Sequence, residues 1–438
     1  MLELSRYPLE RLAAQVGTPF YLMDGNVARR TMGGFAGFVS VTGAFGRYAM
    51  KANSTRRILE LAREVGLGID AVSGNEVLRA MRAGYSGGGD PPGMLLTTDV
   101  FRDNAIEVVL AHGVLPNIGS PGMLGELHDA GYRGPISIRV NPGFGHGEVA
   151  ACDTGGPSSK HGIWPDELPS LRQRAADLKL PIVGLHAHIG SGPASGEFVT
   201  NLVRLVRFFE ELLPKFSSVR SISLGGGIPY DYRPGAREFD PGALPPHLGT
   251  AQHRLSAAAG RTIRVEVEPG RHLTAGMAVL VARVKDVKRT RTNERGPGQT
   301  FVMVDAGFND LIRPALYGSY HHIEVVAGAG RSGPDTASAE RPVEPCVVAG
   351  PLCESGDVFT RDAQEFLDPR PLPRPEPGDL LVLQDVGAYG DVMASNYVSM
   401  GRAPRVWWED GSATLVARRE TVEDLLVTEC DRPLKTSG

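Results

Sequence analysis

Cysteine is scarce in this sequence. Four residues, Cys152, Cys346, Cys353 and Cys430, are spread over 438 positions with no C-x-x-C pair and no metal-ligand spacing. That argues against a disulfide framework and a thiolate metal site, and it suits free thiols in a reducing cytoplasm. Long apolar runs are also missing. No stretch reaches 18 apolar residues, so no membrane-spanning helix is expected. The opening "MLELSRYPLERLAAQVG" scatters charges where a signal peptide needs an unbroken apolar segment. Neither charge sign dominates: 46 basic residues face 50 acidic ones, for a net charge of −4. This balance gives no sign of nucleic-acid binding or of a polybasic membrane surface. No internal repeat or low-complexity tract occurs. The expectation is a soluble cytoplasmic protein and an enzyme, long enough for two or three domains at roughly 100–200 residues each.

What is present is a regular alternation. Short apolar runs rich in β-branched residues, "RYAM" (47–50), "GIDAVS" (68–73), "MLLTT" (94–98), "LPNIGS" (115–120), "ISIRVN" (136–141), "IVGLHAHIG" (182–190), "SISLGGG" (221–227) and "TIRVEVEPGR" (262–271), read as strands. Amphipathic stretches such as "GNEVLRAMRAGY", "NAIEVVLAHG" and "NLVRLVRFFEELL" lie between them, and "STRRILELAREVGLG" reads as a serine-capped helix. Eight alternations over about 225 residues fit a (β/α)8 barrel, which typically needs roughly 250. Periodicity alone leaves a doubly wound open sheet as the alternative. After residue 275 the text becomes β-rich, with "VLVARVKDVKRT", "QTFVMVDAG", "EPCVVAG", "DLLVLQDVG" and "PRVWWEDGSATLVARRE" separated by Pro/Gly/Ser-rich loops near 328–343 and 367–378. The expectation is an α/β barrel over 25–275, followed by an all-β domain over 276–438 that also takes in residues 1–24, including "TPFYLM".

A barrel collects its chemistry at the C-terminal ends of the strands. Lys51, Asp70 and Ser73, Arg139 and Asn141, His188 with Gly190 and Ser191, Gly225-Gly226-Gly227, and Glu268-Pro269-Gly270-Arg271 all fall there. Singly, each has a plain reading: a solvated lysine, a flexible glycine turn, a packed histidine. Six of eight strand ends carrying such groups is harder to set aside. Together they describe one ligand. A lysine amine in a low-dielectric site loses its proton readily and condenses with an aldehyde. Glycines after a late strand let backbone N–H groups approach a phosphate, and Ser191 adds a hydroxyl. An imidazole such as His188 can stack on a flat ring, and Glu268 suits a protonated pyridine nitrogen. Aldehyde, phosphate, ring and pyridinium are the parts of pyridoxal 5′-phosphate.

The phrases "YAMKAN", "HAHIGSG", "LGGGIP" and "EPGR", in this order, resemble the fold-type III pyridoxal-phosphate decarboxylases, an alanine-racemase-like barrel followed by a β-domain. "VNPGFGHG", "TGGPSSKHGIW", "VDAGFNDLIRPALYGSYHHI", "VAGPLCESGDVF" and "GAYGDVMASNY" are most similar to the diaminopimelate decarboxylases, and the likeness runs along essentially the whole chain. The resemblance implies decarboxylation of meso-2,6-diaminopimelate to L-lysine and CO2, the last step of lysine biosynthesis. It implies that Lys51 is the Schiff-base lysine and that His188 stacks on the ring. Ser191, Gly226, Gly227 and the turn Glu268-Pro269-Gly270-Arg271 would hold phosphate and pyridinium, and Tyr389 would touch phosphate and substrate. Racemases of this fold place an arginine at the ring nitrogen, so Glu268 favours a decarboxylase. Cys353 would be the proton donor. Arg271 and Arg313 would take the distal carboxylate, Glu354 the distal ammonium, and Tyr317 would line the same pocket. The family also implies a homodimer with shared active sites, the β-domain of one subunit completing the barrel of the other.

Two departures stand out. "VSMGRAP" (398–404) follows "ASNY" where the relatives run on as "NSRPR", and Asp391 sits two residues after Tyr389 where a small or apolar residue is common. They leave open a sibling decarboxylase acting on another diamino acid or a secondary-metabolite intermediate. A non-catalytic pyridoxal-phosphate regulator is disfavoured, because Lys51 and Cys353 are both retained.

Overall fold

The computed structural model describes residues 1–147, 153–192, 195–235, 239–328, 341–432 and 434. Cys152 and most of the expected loop 328–343 lie outside them. The chain separates into two compact units, Asn26–Gly276 and Met1–Gly25 with Met277–Gly438. The first strand, β1 (Phe20–Asp24), is buried at every position and belongs to the latter unit.

Residues 26–276 form the barrel. Strands β2 (Phe45–Ala49), β3 (Gly68–Ala71), β4 (Met94–Thr98), β5 (Leu115–Ile118), β6 (Ile136–Arg139), β7 (Ile182–His186), β8 (Ser221–Ser223) and β9 (Arg264–Val267) pair in sequence order, all parallel. The ring closes where Phe45 and Gly46 of β2 pair with Glu266 and Val267 of β9. That contact, invisible in the periodicity, eliminates the open sheet. Side chains alternate along a strand, and here the two sets differ sharply. Ile69, Met94, Leu96, Ile118, Ile138, Leu185 and Ile222 form the apolar set, all buried, the side that the surrounding helices need. The opposite set is polar and equally buried. At its floor Arg47 donates to Glu266 at 2.6 Å and to the Pro92 carbonyl oxygen at 2.7 Å, with its guanidinium 4.9 Å from the Phe45 ring centre.

Three strands end a full four residues earlier than their sequence runs suggest. β7 stops at His186 rather than 190, β8 at Ser223 rather than 227, and β9 at Val267 rather than 271. Gly190 after β7 and Gly225 and Gly227 after β8 have φ of +139°, +72° and +81°, which no extended strand accommodates, so these two segments turn out of the ladder there. The helix after β2 also differs in detail. It spans Arg56–Glu64 with Thr55 at its N-cap and no side-chain cap bond, so the expected serine cap is absent; Asn53 Oδ1 instead accepts from Thr55 N. Ile58, Leu59, Leu61 and Ala62 bury its apolar face.

The other unit is a nine-stranded sheet. After β10 (Ala278–Arg289) and β11 (Thr300–Val304) come β12 (Ile323–Val326), β13 (Val343–Ala349), β14 (Arg370–Pro373), β15 (Leu380–Leu383), β16 (Arg405–Glu409) and β17 (Ser412–Ala417). The order runs β14-β13-β11-β10-β1-β16-β17, with β15 pairing both β10 and β12. The N-terminal strand is thus central, antiparallel to β10 and parallel to β16. β14, "RPLP", falls in a stretch that reads as a loop. Prolines lack the N–H a central strand needs, and β14 tolerates two because it lies at the sheet edge, pairing with β13. No helix among the described residues is long and apolar enough to cross a membrane.

Candidate functional site

β2 hands over to a single 3-10 turn, Met50–Ala52, in which Met50 and Ala52 are buried and Lys51 is exposed. Tyr48 Oη donates to Asn53 O at 2.7 Å and fixes the turn. The lysine therefore stands on the turn after the strand, free to reach into the barrel mouth. Its charge acts on Asp70, Glu76, His188 and Glu268, which places its amine among them.

Glu268, just beyond β9, is 5% exposed. His186 Nε2 lies 2.5 Å from its Oε1, and Ser223 Oγ donates to its Oε2 at 3.3 Å. Burial would raise its pKa; the charge and hydrogen bond of His186, with help from Lys51 and Arg139, outweigh burial and hold Glu268 below the usual carboxylate range. Asp70 on β3 goes the other way. Burial first, and then the nearby negative charge of Glu268, push it up to about 8, while Thr97 Oγ1 donates to it. Of these two carboxyls the mouth favours the charged form of Glu268 and the neutral form of Asp70. His188 is driven well below its ordinary range by burial and by Lys51, so it is a neutral imidazole; its Nδ1 accepts from Gly226 N at 3.3 Å.

The glycine loop after β8 is packed backbone against backbone. A Cβ on Gly226 would stand 2.5 Å from Glu268 O, and one on Gly227 would run into Gly190 O. Beside this loop, Arg271 Nε donates to Ser191 Oγ at 3.2 Å and Nη1 to Tyr232 Oη at 3.3 Å. His146, 4% exposed, shares its Nδ1 with Asn201 Nδ2 at 2.9 Å. Its buried Nε2 has no hydrogen-bond partner among the described residues and faces Gly227, whose added Cβ would stand 3.5 Å away. A donor-rich loop with an idle imidazole suits an anion. Phosphate at the glycines, a flat ring against His188, a ring nitrogen at Glu268 and an aldehyde at Lys51 match the donor set of this mouth.

Sequence reasoning places Lys51, His188, Ser191, Gly226, Gly227, Glu268, Pro269, Gly270 and Arg271 at this site, and all lie on these strand-end loops. Two other strand-end residues prove structural. Ser73 caps the helix Gly74–Arg82, accepting from Glu76 N at 3.2 Å. Asn141 uses Nδ2 and Oδ1 to hold the loop after β6 through Gly143, Gly156 and His161. His186, His146 and Tyr232 were missed. His186 was legible in principle, two residues before His188 and hence on the inward face; the other two come from loops that carry no periodicity.

The remaining candidates belong to the β-rich unit. Arg313 begins a short helix, Arg313–Tyr317, and is 1% exposed, with Nη2 donating to Ser319 Oγ at 3.1 Å. Cys353 and Glu354 are exposed in the loop after β13, where Asp357 accepts from Phe308 N at 2.7 Å and Leu352 N at 2.8 Å. Tyr389 is half-buried with φ +58°. Ser395 N donates to Asn309 O at 2.9 Å, so the segments carrying Arg313, Cys353 and Tyr389 are tied to one another within this unit. Asp391 accepts from Arg405 at 2.9 Å, which gives that departure an internal ion pair.

Residues 39–275 match the family described as pyridoxal-dependent decarboxylase, pyridoxal binding domain. The diaminopimelate decarboxylase of Escherichia coli K12 is 39% identical over 427 residues, 98% of this chain and 97% of that one. A crystal structure of diaminopimelate decarboxylase superposes with a TM-score of 0.86 at 38% identity, covering 96% of this chain and 95% of the other. The Helicobacter pylori diaminopimelate decarboxylase, crystallised with L-lysine, gives 0.80 at 28% identity, covering 96% and 98%.

Proposed function

Because the chain belongs to the pyridoxal-dependent decarboxylases, among the diaminopimelate decarboxylases, we infer that it converts meso-2,6-diaminopimelate to L-lysine and CO2 with pyridoxal 5′-phosphate as cofactor. The observation that carries this reading is Glu268, an ionised carboxylate held by His186 and Ser223 in the mouth that also contains Lys51. Bound there, pyridoxal phosphate supplies a sink for the electron pair left on Cα when the carboxylate departs.

The chain's own groups do the rest. Lys51 would hold the cofactor through its amine, the group that condenses with an aldehyde. Gly226 and Gly227 would offer backbone to the phosphate, Ser191, Arg271 and Tyr389 would add donors to it, and Glu268 in the turn Glu268-Pro269-Gly270-Arg271 would hold the proton on the ring nitrogen. His188, kept neutral by burial, stacks on the ring without adding a positive charge to it. When the Cα–carboxylate bond breaks, one proton must reach Cα, and the Cys353 thiol delivers it. At the far end of the substrate Arg271 and Arg313 take the second carboxylate, through a fork matched to its geometry. Glu354 takes the second ammonium, with Tyr317 alongside. The β-rich unit of one subunit supplies Cys353 and Glu354 to the barrel of its partner in a cytoplasmic homodimer; the exposure of both residues supports this arrangement.

Incubating purified protein with pyridoxal phosphate and meso-diaminopimelate should yield L-lysine and CO2 in equal amounts. Turnover of another diamino acid in place of diaminopimelate would overturn the substrate assignment.

A further inference from the structure

Glu268 has a partner that no cofactor contact requires. His186 is the last residue of β7, on the inward face, and its imidazole is 1% exposed. In strand register it lies between Arg139 of β6 and Ser223 of β8. Its Nε2 and Glu268 Oε1 are 2.5 Å apart, a separation that needs one proton between them. Its Nδ1 is buried with no hydrogen-bond partner among the described residues. Nε2 is thus the ring nitrogen with a partner, and its N–H donates to Glu268. Asp70, the other carboxyl of this mouth, accepts from Thr97 and has no imidazole partner in the hydrogen bonds described.

We propose that His186 is a positioning residue for the cofactor's ring nitrogen, acting through Glu268: its Nε2–H keeps the Glu268 carboxylate charged and turned toward that nitrogen, so that the nitrogen stays protonated. This rests on the reading of Glu268 as the ring-nitrogen partner. Each carboxylate oxygen has two lone pairs, so Oε1 can accept from His186 and Oε2 from Ser223 while one of them still faces the ring. The charged and titratable groups around Glu268 are Lys51 after β2, Asp70 on β3, Arg139 on β6 and His186 on β7. Lys51 and Arg139 also favour the carboxylate, but His186 alone among the four hydrogen-bonds it.

The test loads the enzyme with pyridoxal phosphate labelled with 15N in the ring and records that nitrogen's chemical shift at neutral pH. The unmodified enzyme should show a protonated nitrogen, and Glu268→Gln a deprotonated one. His186→Phe, which removes the donor, should move the signal toward the deprotonated position and lower kcat about tenfold with KM little changed. His186→Gln, whose amide can still donate, should stay near the parent. His186→Met serves as the donor-free variant if the phenylalanine does not load. If Glu268→Gln leaves the shift unchanged, the underlying reading of Glu268 fails. If Glu268→Gln moves it and neither donor-free variant does, His186 has no such role. Loss of cofactor from both donor-free variants, with His186→Gln loading normally, would make His186 a structural residue and equally overturn the proposal.

Discussion

Lys51 and Asp70 show how a residue's chemistry is set by where its strand stops. Lys51 clears the strand by one turn and meets three carboxyls, an imidazole and solvent. If it holds the cofactor, the purified protein should be yellow, and Lys51→Ala should abolish the visible band. Borohydride should fix the cofactor to the peptide containing Lys51; a label on any other lysine refutes the assignment. Asp70 carries a second prediction. Its pKa of about 8 lies above its unfolded value of roughly 3.9, so the folded state binds more protons than the unfolded state between these values. Stability from this group is present in full below about pH 4 and is lost as pH rises through about 8. In the cofactor-free protein, Asp70→Asn should reduce the fall in Tm between pH 5 and pH 8. An unchanged pH slope would show that Asp70 titrates normally.

At the scale of elements, the barrel strands bury an apolar face outward and a polar file inward, and the inward file must be internally satisfied. Arg47 and Glu266 anchor its floor at 0% and 4% side-chain exposure. Removing one member strands a buried charge, so Glu266→Ala should cost about 3–5 kcal/mol by denaturant unfolding of the cofactor-free protein. Arg47→Met combined with Glu266→Leu should recover most of that loss, because an apolar pair leaves no charge behind. A single variant within 1 kcal/mol of the parent would mean that water reaches the floor. The same file explains why helices and strands were largely readable while their ends were not. Apolar periodicity marked the outward face, whereas the strand ends are set by left-handed glycines and by the polar groups that must face one another across the ring.

For the whole molecule, the decisive question is how residues some 300 positions apart cooperate. With Lys51 in one compact unit and Cys353-Glu354 in the other, the proposed shared-site homodimer makes a direct prediction. Lys51→Ala and Cys353→Ala, each inactive alone, should recover activity when mixed under conditions that allow subunit exchange. Random pairing makes half the dimers mixed, each with one intact site of two, so recovery should reach roughly a quarter of full activity, given that two-fold dimers are the default assembly. No recovery despite demonstrated exchange would show that each site is built within one chain.

The sequence by itself determined the alternating α/β region, the β-rich remainder and the family, because these rest on local periodicity and on contiguous phrases such as "YAMKAN" and "LGGGIP". It also placed Lys51, His188 and Glu268 at strand ends, since period and strand length are local quantities. Tertiary structure alone closed β2 onto β9, put the N-terminal strand between β10 and β16, and made "RPLP" an edge strand. It alone set His186 against Glu268 and left Asp70 as the neutral carboxyl. Those facts depend on which groups meet across tens to hundreds of residues of chain, and on burial, which strengthens every charge and hydrogen bond it encloses; neither is written in any short stretch of residues.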